Sequence, residues 1–192
     1  SVSNTLPFMA AGTQVCNRTI DVTDAEAVRA GIDETGPFDA IIHLAARKAI
    51  GESVSLPLEY YENNVGSTIV MLAAMREHGI STFLFSGTGT VYTHQEDLPF
   101  VETSRTGLAL PNPYSKSKRI CEEIMADFAR TGPDRRLIGL RYFNPIGAHE
   151  SGLIGEDPQG IPNNLMPIVA RVAAGIQILQ RNKELQDIIA IL

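Results

Sequence analysis

Three short apolar runs, separated by two long stretches of helical spacing, constrain this chain more than any single motif does. Asp39–Ala46 reads Asp-Ala-Ile-Ile-His-Leu-Ala-Ala, Ser81–Ser86 reads Ser-Thr-Phe-Leu-Phe-Ser, and Arg136–Tyr142 is the third. The first two are continuously apolar runs bounded by turn signals, as in strands buried on both faces. Between the first and second, Pro57 to His78 places Leu58, Tyr61, Val65, Ile69, Leu72 and Met75 on one helical face, and Gly79 closes it. Between the second and third, a helix predicted from Asn112 to about Arg130 is closed by Gly132-Pro133. Upstream, Thr13 to Ile20 predicts a strand through Val15, Thr19 and Ile20. Asp24 to Glu34 predicts a helix through Ala25, Val28 and Ile32, stopped by Gly36-Pro37. Strands alternating with long helices are the form of an α/β fold with a doubly wound parallel sheet.

Composition narrows the function. The chain has 192 residues, enough for one ordinary domain with a substantial core. Its net charge is −6, with both signs interspersed, so no basic face points to nucleic acid. Cys16 and Cys121 have no metal spacing and are too few for a disulfide framework, which makes the cytoplasm the default location. His78, His94 and His149 show no ligand pattern, and His43 inside an apolar run reads as a core histidine, so no metal is expected. The first residues lack the charged and apolar regions of a signal peptide, and no apolar run reaches membrane-spanning length.

Ligands of parallel sheets bind beyond the carboxyl ends of the strands. Three such ends carry small or polar residues here: Leu44-Ala-Ala-Arg-Lys48, Ser86-Gly-Thr-Gly-Thr90 and Phe143-Asn-Pro-Ile-Gly147. Ala45, Ala46, Gly87 and Gly89 would let a flat ligand approach the backbone. Next to them stands Asn112-Pro-Tyr-Ser-Lys-Ser-Lys118, a helix start with Asn112 as N-cap and Pro113 in the first turn. Tyr114 and Lys118, four residues apart, share a helix face. A phenol beside a fixed ammonium has a depressed pKa and can exchange a proton near neutrality. The same spacing also occurs in plain surface helices. Thr88 either turns its hydroxyl into the cleft or bonds its own backbone turn. Asn63 and Asn64, poor helix formers, either bond across to a loop or sit on a solvated face. Asp21 could bind a polar ligand edge or belong to a turn. The loop Asp157–Asn164, with two prolines, either covers a site or merely connects.

With these residues in hand, the chain resembles the extended short-chain dehydrogenase/reductases and, among them, the UDP-glucose 4-epimerases. The matching segments are Lys48-Ala-Ile-Gly-Glu-Ser53, Pro57-Leu-Glu-Tyr-Tyr-Glu-Asn-Asn-Val65, Thr90-Val-Tyr92, Pro113-Tyr-Ser-Lys-Ser-Lys118, Leu140–His149 and Gly155–Pro167. They lie within about residues 14 to 175. The resemblance implies an NAD-binding Rossmann-like fold and the interconversion of UDP-glucose and UDP-galactose through a 4-keto sugar. It implies that Tyr114 moves the proton of the sugar 4-hydroxyl, that Lys118 also bonds the nicotinamide ribose, and that Thr88 helps the proton move. Asp21 and Val22 would meet the adenine side. Leu44, Ala45, Ala46, Arg47, Lys48 and Asn63 would line the cofactor cleft, and Phe143 would flank the nicotinamide. Asn144, Asn164 and Leu165 would meet the nucleotide sugar, with Lys48, Thr88 and Tyr114 beside it. A UDP-sugar is the implied partner, and the family leaves room for a homodimer.

The departures are equally specific. The family opens with a strand and a Gly-x-x-Gly-x-x-Gly turn that seats the pyrophosphate at a helix N-terminus, and this sequence holds no such motif. The expectation is a chain lacking the first β-α-β unit: residues 1–175 as a partial NAD-binding domain with the start of a substrate region, and residues 176–192 as an unmatched tail. Such a chain is expected to hold NAD weakly and to be inactive as it stands. Two other readings are a nucleotide-sugar dehydratase or reductase of the same superfamily, and a non-catalytic fragment.

Overall fold

The structure, a computed structural model, describes residues 15–93, 95–107, 109–147, 150–151 and 165–173. His94, His149, Asn164, most of the predicted covering loop and the tail beyond Gly175 lie outside the described residues. Two compact units divide the chain, the larger being Gln14–Phe143, while Asn144–Leu192 belong to the other.

Helix α1, Ala25–Thr35, starts where Asp24 accepts the backbone N–H groups of Glu26 and Ala27 at 3.0 and 3.1 Å. Strand β1 is Ala40–His43, β2 is Thr82–Thr88 and β3 is Arg136–Tyr142. They form a parallel sheet in the order β1-β2-β3. Helices α2 (Ile50–Ser55), α3 (Pro57–Tyr61) and α4 (Ser67–Glu77) connect β1 to β2. Helix α5, Pro113–Ala129, connects β2 to β3, and α6, Leu165–Ala173, belongs to the second unit.

The core gathers Leu72 and Met75 of α4, Ile80 in the turn before β2, Phe83 and Phe85 of β2, and Cys121 and Met125 of α5. Both connecting helices therefore pack on the sheet face that bears Phe83 and Phe85. Right-handed crossovers between strands in sequential order have this result. The cross-strand row Ile42–Leu84–Ile138 lies on the opposite face.

That arrangement corrects three sequence expectations. Strand β1 is not buried on both faces: Ile42 is 65% exposed, because no described element covers its side of the sheet. Residues 15–20 form no strand. Among the described residues β1 pairs only with β2, and residues 15–20 join no ladder. The stripe predicted along residues 57–78 is split. Leu58 and Ile69 are 71% and 51% exposed, whereas Tyr60, Asn64, Thr68, Leu72 and Met75 are buried. The cause is a π-helical turn, Glu62–Gly66, between α3 and α4, whose wider i→i+5 winding breaks the 3.6-residue register. Gly79 does end α4, at φ +66°, and the Ile80 N–H reaches the Met75 carbonyl at 2.9 Å in a Schellman arrangement.

Candidate active site

The start of α5 is built by local bonds. The Asn112 side chain accepts the Ser115 N–H at 2.8 Å, and Pro113 occupies the first turn. This fixes Tyr114, which is half-buried, one helical turn before Lys118, which is only 3% exposed. The Lys118 ammonium donates to the Ser86 carbonyl at 2.7 Å and lies 4.6 Å from the centre of the Phe85 ring. Burial lowers its pKa. The Lys118 ammonium is thus fixed, anchored to β2.

Thr88 is the last residue of β2 and is buried. Its Oγ1 accepts the Thr90 N–H at 3.3 Å and lies 3.1 Å from the Thr90 hydroxyl. The turn-bonded alternative for Thr88 therefore describes its own contacts. Thr90 in turn accepts the buried Ser115 hydroxyl at 2.8 Å. Helix α5 is consequently joined to β2 through Ser86–Lys118 and to the turn that follows β2 through Thr90–Ser115.

The π-helical turn supplies a third tie. Asn64, buried, receives the Arg47 N–H at 2.8 Å and donates to the Arg47 carbonyl and to the Ser117 hydroxyl, each at 3.0 Å. Of the two readings of this pair, the amide bonding across to a loop holds for Asn64. Asn63 is half-buried and donates to the Asn64 side chain at 3.0 Å. The Asn64 carbonyl, freed from the α-helical ladder, accepts the Thr68 hydroxyl at 2.8 Å and the Cys121 thiol at 3.4 Å. Below this, His43 is buried between the Phe83 and Phe85 rings, and its Nε2 lies 3.3 Å from the Ser67 hydroxyl. Burial, with the Lys118 charge nearby, pushes its pKa down to about 4, so the imidazole is neutral.

The remaining candidates are more open. Leu44, Ala45, Arg47 and Lys48 are exposed beyond β1, and Ala46 is half-buried. Phe143, just past β3, lies against Gly89, where any Cβ would come within 2.5 Å of the ring. It is also coplanar within about 12° with Tyr92 and Phe100. Val22 lines a cleft of about 380 Å³ with Ile20, Val28 and Phe38. The Asp21 carboxylate is turned onto Thr23, whose N–H and hydroxyl it accepts at 2.9 and 2.7 Å, and these bonds lower its pKa. Asn144 and Leu165 are exposed in the other unit. Among the described residues no cluster of His, Cys, Asp and Glu could hold a metal. Sequence reasoning missed Thr90, Ser115 and Ser117. The signal was the alternation Tyr-Ser-Lys-Ser-Lys, which puts two small hydroxyls where α5 meets its neighbours.

Comparisons with known proteins agree with this geometry. Residues 6–188 match the NAD dependent epimerase/dehydratase family. A UDP-glucose 4-epimerase of Caenorhabditis elegans is 46% identical over 164 residues, which are 85% of this chain and 47% of that protein. One of Yersinia pestis is 52% identical over 139 residues, 72% of this chain and 41% of that protein. The crystal structure of the Bifidobacterium longum UDP-glucose 4-epimerase, in complex with NAD+ and UDP, superposes with a TM-score of 0.83 at 43% identity, covering 92% of this chain and 51% of that one. The chain spans about half the length of the relatives it matches. By the breadth of the family match, the chain belongs to the NAD dependent epimerase/dehydratase family.

Proposed function

We propose that this chain carries the proton-transfer half of a UDP-glucose 4-epimerase. The observation that carries the reading is the double tie that holds the first turns of α5 just after Tyr114. Lys118 is bound to Ser86 of β2, and Ser115 is bound to Thr90 in the turn that follows β2. Tyr114 takes the proton of the sugar 4-hydroxyl and later returns it. The buried Lys118 ammonium favours the phenolate that forms, at a site where a charge acts with little screening. Thr88 donates a hydrogen bond to the same sugar oxygen. Bound beside Lys118 and Phe143, NAD would supply reversible hydride transfer at the sugar C4.

NAD fits one end of this chain. Lys118 has three N–H donors and one hydrogen-bonded acceptor among the described residues, Ser86, which leaves donors for the nicotinamide ribose. Phe143 flanks the ring, and Leu44 to Lys48 with Asn63 line the cleft. The phosphate end has no glycine-rich cradle in this sequence, and Asp21 spends its carboxylate on Thr23. Asp21 and Val22 are assigned to the adenine edge. Asn144, Asn164 and Leu165 of the second unit are assigned to the UDP-sugar. The dehydratase alternative is disfavoured because Gly89 and Thr90, not acids, follow Thr88.

The exposed Val54, Leu58 and Ile69 support a homodimer through α2 to α4, and two free thiols suit a cytoplasmic location. Among the described residues no helix is long and apolar enough to cross a membrane. The functional test is conversion of UDP-galactose to UDP-glucose with NAD supplied. It uses the chain as it stands and the chain extended by a strand-Gly-x-x-Gly-x-x-Gly-helix unit. Turnover is expected in the extended form, and its absence from both rejects the reading.

A further inference from the structure

We infer that Thr90 and Ser115 are positioning residues that set the hydrogen-bond direction of Thr88. The inference rests on the epimerase reading for the role of Thr88 but on separate observations for the chain of hydroxyls. Ser115 is fully buried, and its hydroxyl donates to Thr90 Oγ1 at 2.8 Å. A hydroxyl has one proton to give. Either hydroxyl of the Thr88–Thr90 pair, 3.1 Å apart, can be the donor; in the inferred arrangement Thr90, with its Oγ1 receiving the Ser115 proton, gives its own proton to Thr88 Oγ1. Thr88 Oγ1 also receives the Thr90 N–H at 3.3 Å. Two donors then fill both acceptor sites of Thr88, and its single proton has no acceptor among the described residues.

The consequence is a polarity. Thr88 can only donate outward, because its lone pairs are occupied from within. A hydroxyl held as a donor suits an oxygen that gains negative charge as its proton leaves for Tyr114. It suits a neutral hydroxyl that needs an acceptor much less. The pre-set direction also removes a rotor that would otherwise have to be ordered during the reaction. The same bonds seat the first turn of α5, since Ser115 adjoins Tyr114 in sequence and its N–H is held by Asn112 at 2.8 Å.

The test compares Thr90→Val, Thr90→Ser, Ser115→Ala and the Thr90→Val/Ser115→Ala double variant, each assayed with NAD and UDP-galactose supplied. Thr90→Val is expected to lower kcat on the order of tenfold with KM within about twofold, because one directed hydrogen bond to the reacting oxygen is lost. Thr90→Ser, which keeps the hydroxyl, restores kcat to within about twofold. The double variant behaves like Thr90→Val alone, since both act through one chain. Equal losses in Thr90→Val and Thr90→Ser, or multiplicative losses in the double variant, overturn the inference. Thr88→Val separates the two claims. If it abolishes turnover while Thr90→Val leaves kcat within about twofold of wild type, the inference fails and the epimerase reading stands. If no form of the protein turns over, the epimerase reading fails, and the chain of hydroxyls is judged on melting temperatures. Additive Tm losses in the double variant overturn it, and non-additive losses support it.

Discussion

Replacing Asn64 should cost this protein more than any other single amide change, and the structure states why. The side chain is buried and makes three bonds across elements: from the Arg47 N–H, to the Arg47 carbonyl and to the Ser117 hydroxyl. Each is worth about 1 kcal/mol net. The Arg47 side chain is exposed at its loop, so water can replace part of what that backbone loses, while Ser117 keeps its bond to the Tyr114 carbonyl. Asn64→Ala should therefore lower unfolding stability by about 2–3 kcal/mol. Asn64→Asp keeps the shape but turns a donor into an acceptor facing the Arg47 carbonyl and the Ser117 oxygen. It should be at least as damaging at neutral pH. Protonation gives the carboxyl back one donor, so the gap to wild type should narrow as pH falls toward 5. Urea unfolding followed by far-ultraviolet circular dichroism, at pH 7 and pH 5, reads both effects. Losses under about 0.5 kcal/mol in Asn64→Ala, or an Asn64→Asp variant as stable as wild type at pH 7, would refute the claim that this amide ties the loop to α5.

Two further outcomes follow from buried charge. His43 has its folded pKa pushed down from 6.5 to about 4, so below pH 6.5 the unfolded chain takes up a proton that the folded chain refuses. Its contribution is complete above pH 6.5 and falls as pH drops, by about 1.4 kcal/mol per unit and about 3 kcal/mol in all by pH 4. A His43→Leu variant should lack this component of the acid slope, which denaturant titrations at pH 7, 6 and 5 measure; identical slopes would remove His43 from the account. Glu122 binds Arg141 at 3.0 and 2.9 Å and Arg119 at 3.2 Å with only 9% of its side chain exposed. Glu122→Gln leaves the Arg141 guanidinium without its counter-charge, while Arg119 keeps Glu123, and should cost about 3 kcal/mol. A loss below about 1 kcal/mol would mean that solvent already screens the cluster.

What was legible in the sequence was whatever a few neighbouring residues decide. Asp24, Asn112 with Pro113, and Gly79 mark helix ends by chemistry that acts within one turn, and the structure has them there. Tyr114 and Lys118 were found by spacing for the same reason. The π-helical turn was not legible, because Asn64 is held there by Arg47 and Ser117, 17 and 53 residues away in sequence. Without that turn, Leu58 and Ile69 look like core residues. The exposure of Ile42 was hidden likewise, since an apolar run does not say which of its faces finds a partner. Thr90 was read only as part of a strand end and of a matching segment, and its bond to Ser115 spans 25 residues. Local signals thus located Tyr114 and Lys118, the proposed proton-transfer pair, while the ties that hold their helix are tertiary.

Tyr114, at the start of a helix tied down through Ser115 and Lys118, is proposed to move the proton of a sugar hydroxyl. The most direct measurement is the rate of UDP-galactose conversion, with NAD supplied, by wild type and by Tyr114→Phe in the same form of the chain. A general base of this kind contributes about 10²–10⁴-fold, so a drop of at least about a hundredfold is predicted, with melting temperature unchanged. Conversion by the phenylalanine variant at the wild-type rate would contradict the account.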